Sequence, residues 1–253
     1  MKFSIIMLMA AVLSIGLLSG DELTGDQIIK RVNDLLNPYS SYSKAKLTIV
    51  TSSGKSRTFV FESWSKNHGE KNLIRYIEPR RSRGQATLML NHADDIWMYF
   101  PRTKRVRKLA IHAKKQKMEG SDFSYEDMGS GDIFIKDFVA KRLGDEKAEG
   151  QMCYKLELIR KSNSDVSYSK IILWVRKVDF CPLIIDYYKQ DNPDIVEKRL
   201  VMSNIKLIQN VPTAMKMIMY NMLDNTKTEM EFLDVKYNLE LEDNIFTERG
   251  LRR

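Results

Sequence analysis

The sequence contains few of the residues that catalysis and metal binding require. Its three histidines, His68, His92 and His112, lie in separate segments without the spacing of metal ligands. The G-x-S-x-G, P-loop and G-x-G-x-x-G patterns do not occur. The adjacent carboxylates Asp94 and Asp95 would point to opposite faces of a strand and make a poor acid–base pair. The sequence therefore predicts a non-catalytic protein without a metal site or a cofactor.

Cysteine is equally scarce, since Cys153 and Cys181 are the only two. They lack C-x-x-C spacing, which disfavours redox catalysis and a zinc site. Residues 152–160 and 169–177 are typical of a hairpin, with Cys153 at its start and Cys181 just past its end. Antiparallel pairing would bring these ends together, and a disulfide is one interpretation for an exported chain. One buried thiol and one thiol in a turn is the other.

The one long apolar run lies at the N-terminus. Lys2 precedes an apolar run over residues 5–18, followed by small residues. This pattern is typical of a secretory signal peptide, and the run is shorter than the roughly 20 residues of a membrane span. We predict a signal peptide over residues 1–20, cleaved after Gly20, with an uncleaved anchor as the alternative. Because no cysteine follows the cleavage point, a lipid anchor is not expected. Residues 21–253 contain no Pro-, Gly- or Ser-rich linker, and we expect one domain, located in the periplasm.

Acidic residues are too few to balance the basic ones, and the formal net charge is +8. Residues 102–117 contain eight Lys or Arg and no acid. An exported chain does not meet nucleic acid, so an anionic membrane surface or an acidic partner suits this charge better. A solvated strand and loop is the plainer alternative. The residues predicted to contact lipid headgroups or a partner are Arg102, Lys104, Arg105, Arg107, Lys108, Lys114, Lys115 and Lys117.

Alternation of polar and apolar residues dominates the rest of the chain. Residues 44–51 and 57–66 alternate on either side of a Ser-Ser-Gly turn, which predicts a hairpin. Comparable patterns continue to residue 237. They predict a mainly β (α+β) fold, an unclosed and strongly curved antiparallel barrel of about 11 strands. A helix is predicted over residues 24–37, capped by Thr24 or Asp26.

A second segment, residues 120–136, would cover the concave face together with this first helix. Ser124 and Asp127 have capping-box spacing. Inward-facing side chains in this segment would either complete the core or form a movable lid over a cavity. The residues predicted for the lid are Phe123, Tyr125 and Met128.

Several motifs in these segments resemble a known family. The motifs are GQATL at residues 84–88, DIWMYFPRTKRVRKL at 95–109, GSDFSYEDM at 120–128, CYKLEL at 153–158, KIILWV at 170–175 and NIFTERGL at 244–251. The most specific part is the block from Tyr99 to Met128. The sequence is similar in these motifs to the outer-membrane lipoprotein-sorting-protein-like family of Gram-negative bacteria. The resemblance implies a LolA/LolB-like fold, an unclosed barrel whose helix-covered concave face shelters acyl chains. It also implies a periplasmic carrier of lipids or lipid-modified proteins, in some members beside a transporter of the resistance-nodulation-division (RND) type.

A carrier needs an apolar wall, because acyl-chain burial is worth about 0.8 kcal/mol per CH₂. Methionine suits such a wall because its side chain is flexible and polarizable. A non-catalytic interaction module of a transporter or envelope complex, with a filled cavity, is the alternative function. A void between the side chains would favour the carrier. The residues predicted to form the wall are Trp64, Leu88, Leu90, Trp97, Tyr99, Trp174, Met217 and Met219.

Overall fold

The computed structural model describes residues 22–129 and 131–253, and the predicted signal peptide lies outside them. Thirteen strands form one antiparallel, unclosed and curved sheet, where about 11 were predicted. The strands are β1 (Ser40–Val50), β2 (Ser56–Lys66), β3 (Lys71–Glu78), β4 (Ala86–Leu90), β5 (Asp95–Phe100), β6 (Arg105–Lys108), β7 (Phe138–Ala148), β8 (Gln151–Arg160), β9 (Tyr168–Arg176), β10 (Pro182–Lys189), β11 (Val196–Ile208), β12 (Val211–Asn221) and β13 (Thr226–Tyr237).

Two meanders make up this sheet. Strands β1 to β6 pair in sequence order, and so do β7 to β13, with β1 and β13 joining the two halves. In that junction Leu47 lies opposite Met230 and Ala45 lies opposite Phe232. Strands β6 and β7 are the two edges. The junction brings side chains that are far apart in sequence onto one continuous inner face.

Short helices lie against the inner face. They are α1 (Gly25–Leu36), α2 (Tyr125–Gly129) and α3 (Ile133–Lys136). The prediction of α1 is confirmed, and its cap is Thr24 rather than Asp26. The Thr24 hydroxyl accepts from Gln27 N at 3.2 Å, while Gln27 Oε1 accepts from Thr24 N at 2.9 Å. This capping box satisfies backbone donors that the first turn leaves unpaired. Within the described ranges, no helix is long and apolar enough to cross a membrane.

The main core lies between the inner face and these helices. Ile28 and Val32 of α1 are fully buried there beside Leu47 and Phe61 of the sheet. A second, smaller core lies on the outer face, where Phe246 and Leu251 of the C-terminal segment pack on Leu88 and its neighbours. Both faces of the first meander are therefore covered, which explains why β4 is buried along nearly its whole length.

Both cysteines are buried free thiols, so the disulfide interpretation is wrong. The predicted hairpin is present as β8 and β9, but Cys153 packs on the outer face with Ala148 and Leu183. Cys181 instead lines a cavity on the inner face. Because the two side chains point to opposite faces of the sheet, proximity of the strand ends does not bring the sulfurs together.

Candidate functional site

A cavity of about 300 Å³ lies between the inner face of the sheet and the segments that cover it. Its volume is at the lower end of the roughly 300–1,000 Å³ typical of small-molecule sites. A second cavity of about 170 Å³ adjoins it, and Leu36, Met202, Met217 and Phe232 line both. Most of the remaining wall is aromatic or aliphatic, including Phe61, Phe123, Phe134, Ile171, Leu200 and Met230.

The cavity exists because the inward-facing rows of β1 and β2 change from large to small residues. The row of β1 continues from Leu47 and Ala45, which are fully buried, to two serines. The row of β2 continues from Phe59 and Phe61 to two further serines. A serine side chain leaves unfilled the space that an inward-facing Leu or Phe would occupy. The four serines that line the cavity are Ser41, Ser43, Ser63 and Ser65.

The cover over the cavity, which consists of residues 118–129 and 131–134, is fixed to β13 through Asp122. The Asp122 carboxylate accepts from the Thr226 hydroxyl at 2.6 Å and from the Thr228 hydroxyl at 2.8 Å. Its backbone N–H donates to the Thr228 hydroxyl at 2.9 Å. Asp122 is 2% exposed, so these hydrogen bonds replace the water that the carboxylate loses on burial.

A buried ionic network lies at the base of the cover. Asp127 accepts from Lys198 Nζ at 3.1 Å and from the Tyr168 hydroxyl at 2.8 Å. Asp127 and Ser124 also form the predicted reciprocal capping pair, at 2.7 and 3.0 Å. Burial raises the pKa of the Tyr168 hydroxyl most strongly, and the negative charge of Asp127 raises it further. Tyr168 lines both the cavity and an open polar cleft beyond it, and so the network separates the apolar interior from the cleft.

Glu126 is the second carboxylate in the cavity wall. It is 2% exposed and accepts from the Ser167 backbone N–H at 3.2 Å. Burial raises the pKa of its carboxyl, and the neighbouring Asp127 adds to this effect. The site therefore contains one carboxylate held by a buried lysine and one that burial biases toward the protonated form.

Six of the eight residues predicted for the cavity wall lie on the outer face, which corrects the prediction. In β5, Ile96 and Met98 face the main core, so the alternate residues Trp97 and Tyr99 face the C-terminal segment. Met217 lines both cavities, and the fully buried Met219 belongs to the main core beside them. The corrected residues are Trp64, Leu88, Leu90, Trp97 and Tyr99 beneath the C-terminal segment, and Trp174 beside Cys153.

The residues predicted for the lid lie in the cover. Phe123 and Met128 line the cavity. Tyr125 is buried, and its hydroxyl lies 3.6 Å from the Met98 sulfur. The cover is therefore part of the core in this conformation. Its movement as a lid remains a prediction.

The basic run divides into two parts. Lys108, Lys114, Lys115 and Lys117 pair with Asp95, Asp94, Asp165 and Asp224 at 2.5–3.0 Å. Among the described residues, no acidic partner lies within ion-pair distance of Arg102, Lys104, Arg105 or Arg107, which are all exposed.

None of these four unpaired residues lines the cavity. Arg102 and Lys104 lie between β5 and β6, at the end of the sheet away from the serines. Arg107 lies opposite Met98, and the pairing continues through Thr87 and Ile74 to Ser63, so Arg107 shares a cross-strand row with that serine. Strands β3, β4 and β5 lie between the two strands that carry Ser63 and Arg107.

The four serines and Phe61 are among the lining residues that sequence reasoning missed, as are Ile171, Leu200, Met202, Met230 and Phe232. A signal was present, because Phe59, Phe61 and Ser63 alternate in β2 and must share a face. Following this row to Ser65 would have assigned both serines to the inner face. Ser41 and Ser43 follow from the same argument applied to β1.

A family model described as "Uncharacterized protein" matches residues 68–253. A Vibrio parahaemolyticus domain described as an outer membrane lipoprotein-sorting protein is 27% identical, with a TM-score of 0.81, over 90% of this chain and 98% of that one. A DUF1329 family protein from Desulfovibrio piger is also 27% identical, with a TM-score of 0.80, over 90% of this chain and 97% of that one.

A LolA superfamily protein from Nitrosomonas europaea has the same fold. It is 22% identical, with a TM-score of 0.75, over 90% of this chain and 100% of that one. The predicted resemblance and fold class are confirmed by these structures. No curated protein matches the chain.

Proposed function

We propose that this chain, which belongs to the family whose model matches residues 68–253 and has the LolA-like fold, is a periplasmic carrier. It shelters the acyl chains of a lipid or lipid-modified protein during transfer across the envelope. The described cavity is the acyl-chain site, and residues 1–20 are the signal peptide that exports the chain.

The observation that carries this proposal is the void on the inner face. An interaction module with a filled core has no use for two adjoining cavities on the inner face of the sheet. Here Met202 and Met217 line both cavities, and Met230 lines the larger one. These flexible side chains can repack around apolar chains of different shape.

The cavity can offset the cost of removing an acyl chain from a membrane. Each CH₂ moved into water loses about 0.8 kcal/mol, and burial against the apolar wall recovers most of it. Release then requires a second conformation in which that burial is lost. The cover is the element whose displacement would open the site, because it supplies Phe123 and Met128 to the wall and is joined to β13 through Asp122.

The four unpaired basic residues support a second part of the proposal, contact with an anionic membrane surface or an acidic partner. None of the four lines the cavity, so docking through them does not use the cavity wall. An RND-type inner-membrane transporter is the partner class that we propose. Exchanging all four for Glu is expected to abolish docking while acyl binding is retained.

Native mass spectrometry tests the carrier function. The protein is purified from an envelope extract without detergent, and whatever it holds is extracted with solvent. We expect a near-stoichiometric acyl lipid or acylated peptide. An unliganded mass that stays unchanged after incubation with envelope lipids would replace the carrier with the interaction module.

A further inference from the structure

The four serines that line the cavity form one uncharged polar patch in a wall that is mostly apolar. Ser41 lies opposite Ser65 and Ser43 lies opposite Ser63 in the pairing of β1 with β2. The hydroxyls of Ser43 and Ser63 are 2.7 Å apart and hydrogen-bonded to each other. In the part of the chain that the structure describes, the hydroxyls of Ser41 and Ser65 make no hydrogen bond.

This patch retains capacity to bind a polar group. A hydroxyl can donate one hydrogen bond and accept two. The Ser43–Ser63 pair uses one donor and one acceptor, so one hydroxyl proton of the pair and several lone pairs remain for a ligand. Ser41 and Ser65 add two further donors. A pocket that is mostly apolar and has a few convergent polar groups is the usual arrangement for orienting an amphiphile.

The charges around the cavity restrict which polar group fits. The described residues that line it include no Lys, Arg or His. The charged side chains in the wall are Glu126 and Asp127, and Asp127 already pairs with Lys198 at 3.1 Å. A phosphate or carboxylate headgroup would therefore enter without a counter-charge and beside two carboxyl groups. An unpaired ion in an apolar site is strongly disfavoured.

We infer that the cavity selects a neutral amphiphile, whose hydroxyl, ester or amide headgroup hydrogen-bonds to the four-serine patch. The acyl chain then lies toward Phe61 and Met230, which pair with Ala45 and Leu47 farther along β1. This inference rests on the proposed carrier function, because it names the headgroup chemistry of the same site. In this inference the serines bind the headgroup, and the basic residues of the segment 102–117 do not contact it.

Three probes with matched chain length and different headgroups test the inference by titration calorimetry. They are monolaurin, which is neutral and hydroxylated, sodium laurate, which is anionic, and dodecyltrimethylammonium, which is cationic. We expect monolaurin to bind most tightly to the unmodified protein. Ser43→Ala/Ser63→Ala is expected to weaken monolaurin binding on the order of tenfold and to leave laurate binding nearly unchanged.

The chain offers a matched control on the same two strands. Thr48 and Thr58 also lie opposite each other, with hydroxyls 3.3 Å apart, but they belong to the outer face. Thr48→Val/Thr58→Val removes the same kind of contact and should leave all three affinities unchanged. Ser65→Ala is the second test variant, and because its hydroxyl makes no hydrogen bond in the described structure, its removal should not affect folding.

The outcomes separate the two claims. Equal binding of laurate and monolaurin, unaffected by either serine variant, would overturn the inference and leave the carrier function intact. Failure of all three probes to bind the folded, unmodified protein would remove the carrier function and the inference together. A monolaurin preference that the serine variants abolish and the threonine variant keeps would establish the patch as the headgroup site.

Discussion

Lys198 donates to Asp127 at 3.1 Å in a position where the two side chains are 7% and 5% exposed. The pair joins β11 to the cover over the cavity, 71 residues away in sequence. Removing one partner of such a pair leaves an uncompensated buried charge, which is far more costly than losing the attraction itself.

Replacement of the lysine alone should therefore be severe. We expect Lys198→Met to lower the free energy of unfolding by about 3–5 kcal/mol. The double variant Lys198→Met/Asp127→Leu should lose much less, because no unpaired charge remains. Urea denaturation of the two variants measures this, and equal losses in both would contradict the buried-pair interpretation.

The attachment of the cover at Asp122 makes a separate prediction. Asp122→Ala removes acceptors for Thr226 and Thr228 and should lower the free energy of unfolding by about 2–3 kcal/mol. Hydrogen exchange should accelerate in residues 118–129 more than in the sheet. The exposed Lys30–Asp34 pair supplies the control, since Asp34→Ala should cost no more than about 0.5 kcal/mol. Uniform acceleration across the sheet would show that Asp122 stabilises the whole fold rather than the cover.

Substitutions on the two faces distinguish the predicted cavity wall from the observed one. Met217→Trp fills the space that the two cavities share and should weaken binding of an acyl probe at least tenfold. Trp97→Leu lies on the outer face, so it should lower stability by roughly 1–2 kcal/mol and leave binding unchanged. Calorimetric titration with monolaurin and urea denaturation measure both effects. A loss of monolaurin binding in Trp97→Leu would indicate that the acyl-chain site lies on the outer face instead.

The pH dependence of stability should identify Glu126. Its pKa in the folded state is raised by burial above the unfolded value of about 4.3. In the interval between these two pKa values the folded state binds more protons than the unfolded state, so stability falls as the pH rises through it. Glu126→Gln removes this loss and still offers an acceptor to Ser167. The difference in unfolding free energy between the variant and the unmodified protein should grow from about pH 4.3 upward and then level off. A difference that does not depend on pH would show that Glu126 has an ordinary pKa.

Both cysteines should resist modification in the native state. Burial raises the pKa of the Cys153 thiol and raises that of Cys181 to about 12, which suppresses the reactive thiolate. Iodoacetamide should leave the folded protein unmodified and alkylate both sites in guanidinium without any reductant. Alkylation that requires a reductant would reveal a disulfide.

Local patterns in the sequence predicted the elements well. The helix α1 follows from apolar residues at helical spacing after Thr24, because a capping box acts within a single turn. The hairpin of β1 and β2 follows from alternation on either side of a short turn, where each residue's face depends on its neighbours alone. The reciprocal hydrogen bonds of Ser124 and Asp127 are likewise a local feature, and they were predicted.

The site was harder to predict, because it depends on which face of each strand is inward. Trp97 and Met98 are both large and apolar, and composition favours the tryptophan as a cavity residue. The C-terminal segment covers the outer face with Phe246 and Leu251, so the tryptophan is buried there instead. Because both faces of this part of the sheet are covered, an apolar residue does not have to point inward. An error of one residue in the assigned alternation moves every side chain of the strand to the opposite face.

The sequence by itself determined a mainly β chain with a capped first helix, a basic run and the family resemblance, because each depends on neighbouring residues or contiguous motifs. The tertiary structure decided that β1 pairs with β13, that Asp127 meets Lys198, and that four serines line one cavity while the unpaired basic residues lie outside its wall. These relationships join residues distant in the chain, and a pairing between distant strands is fixed by the packing of the whole sheet rather than by any local pattern.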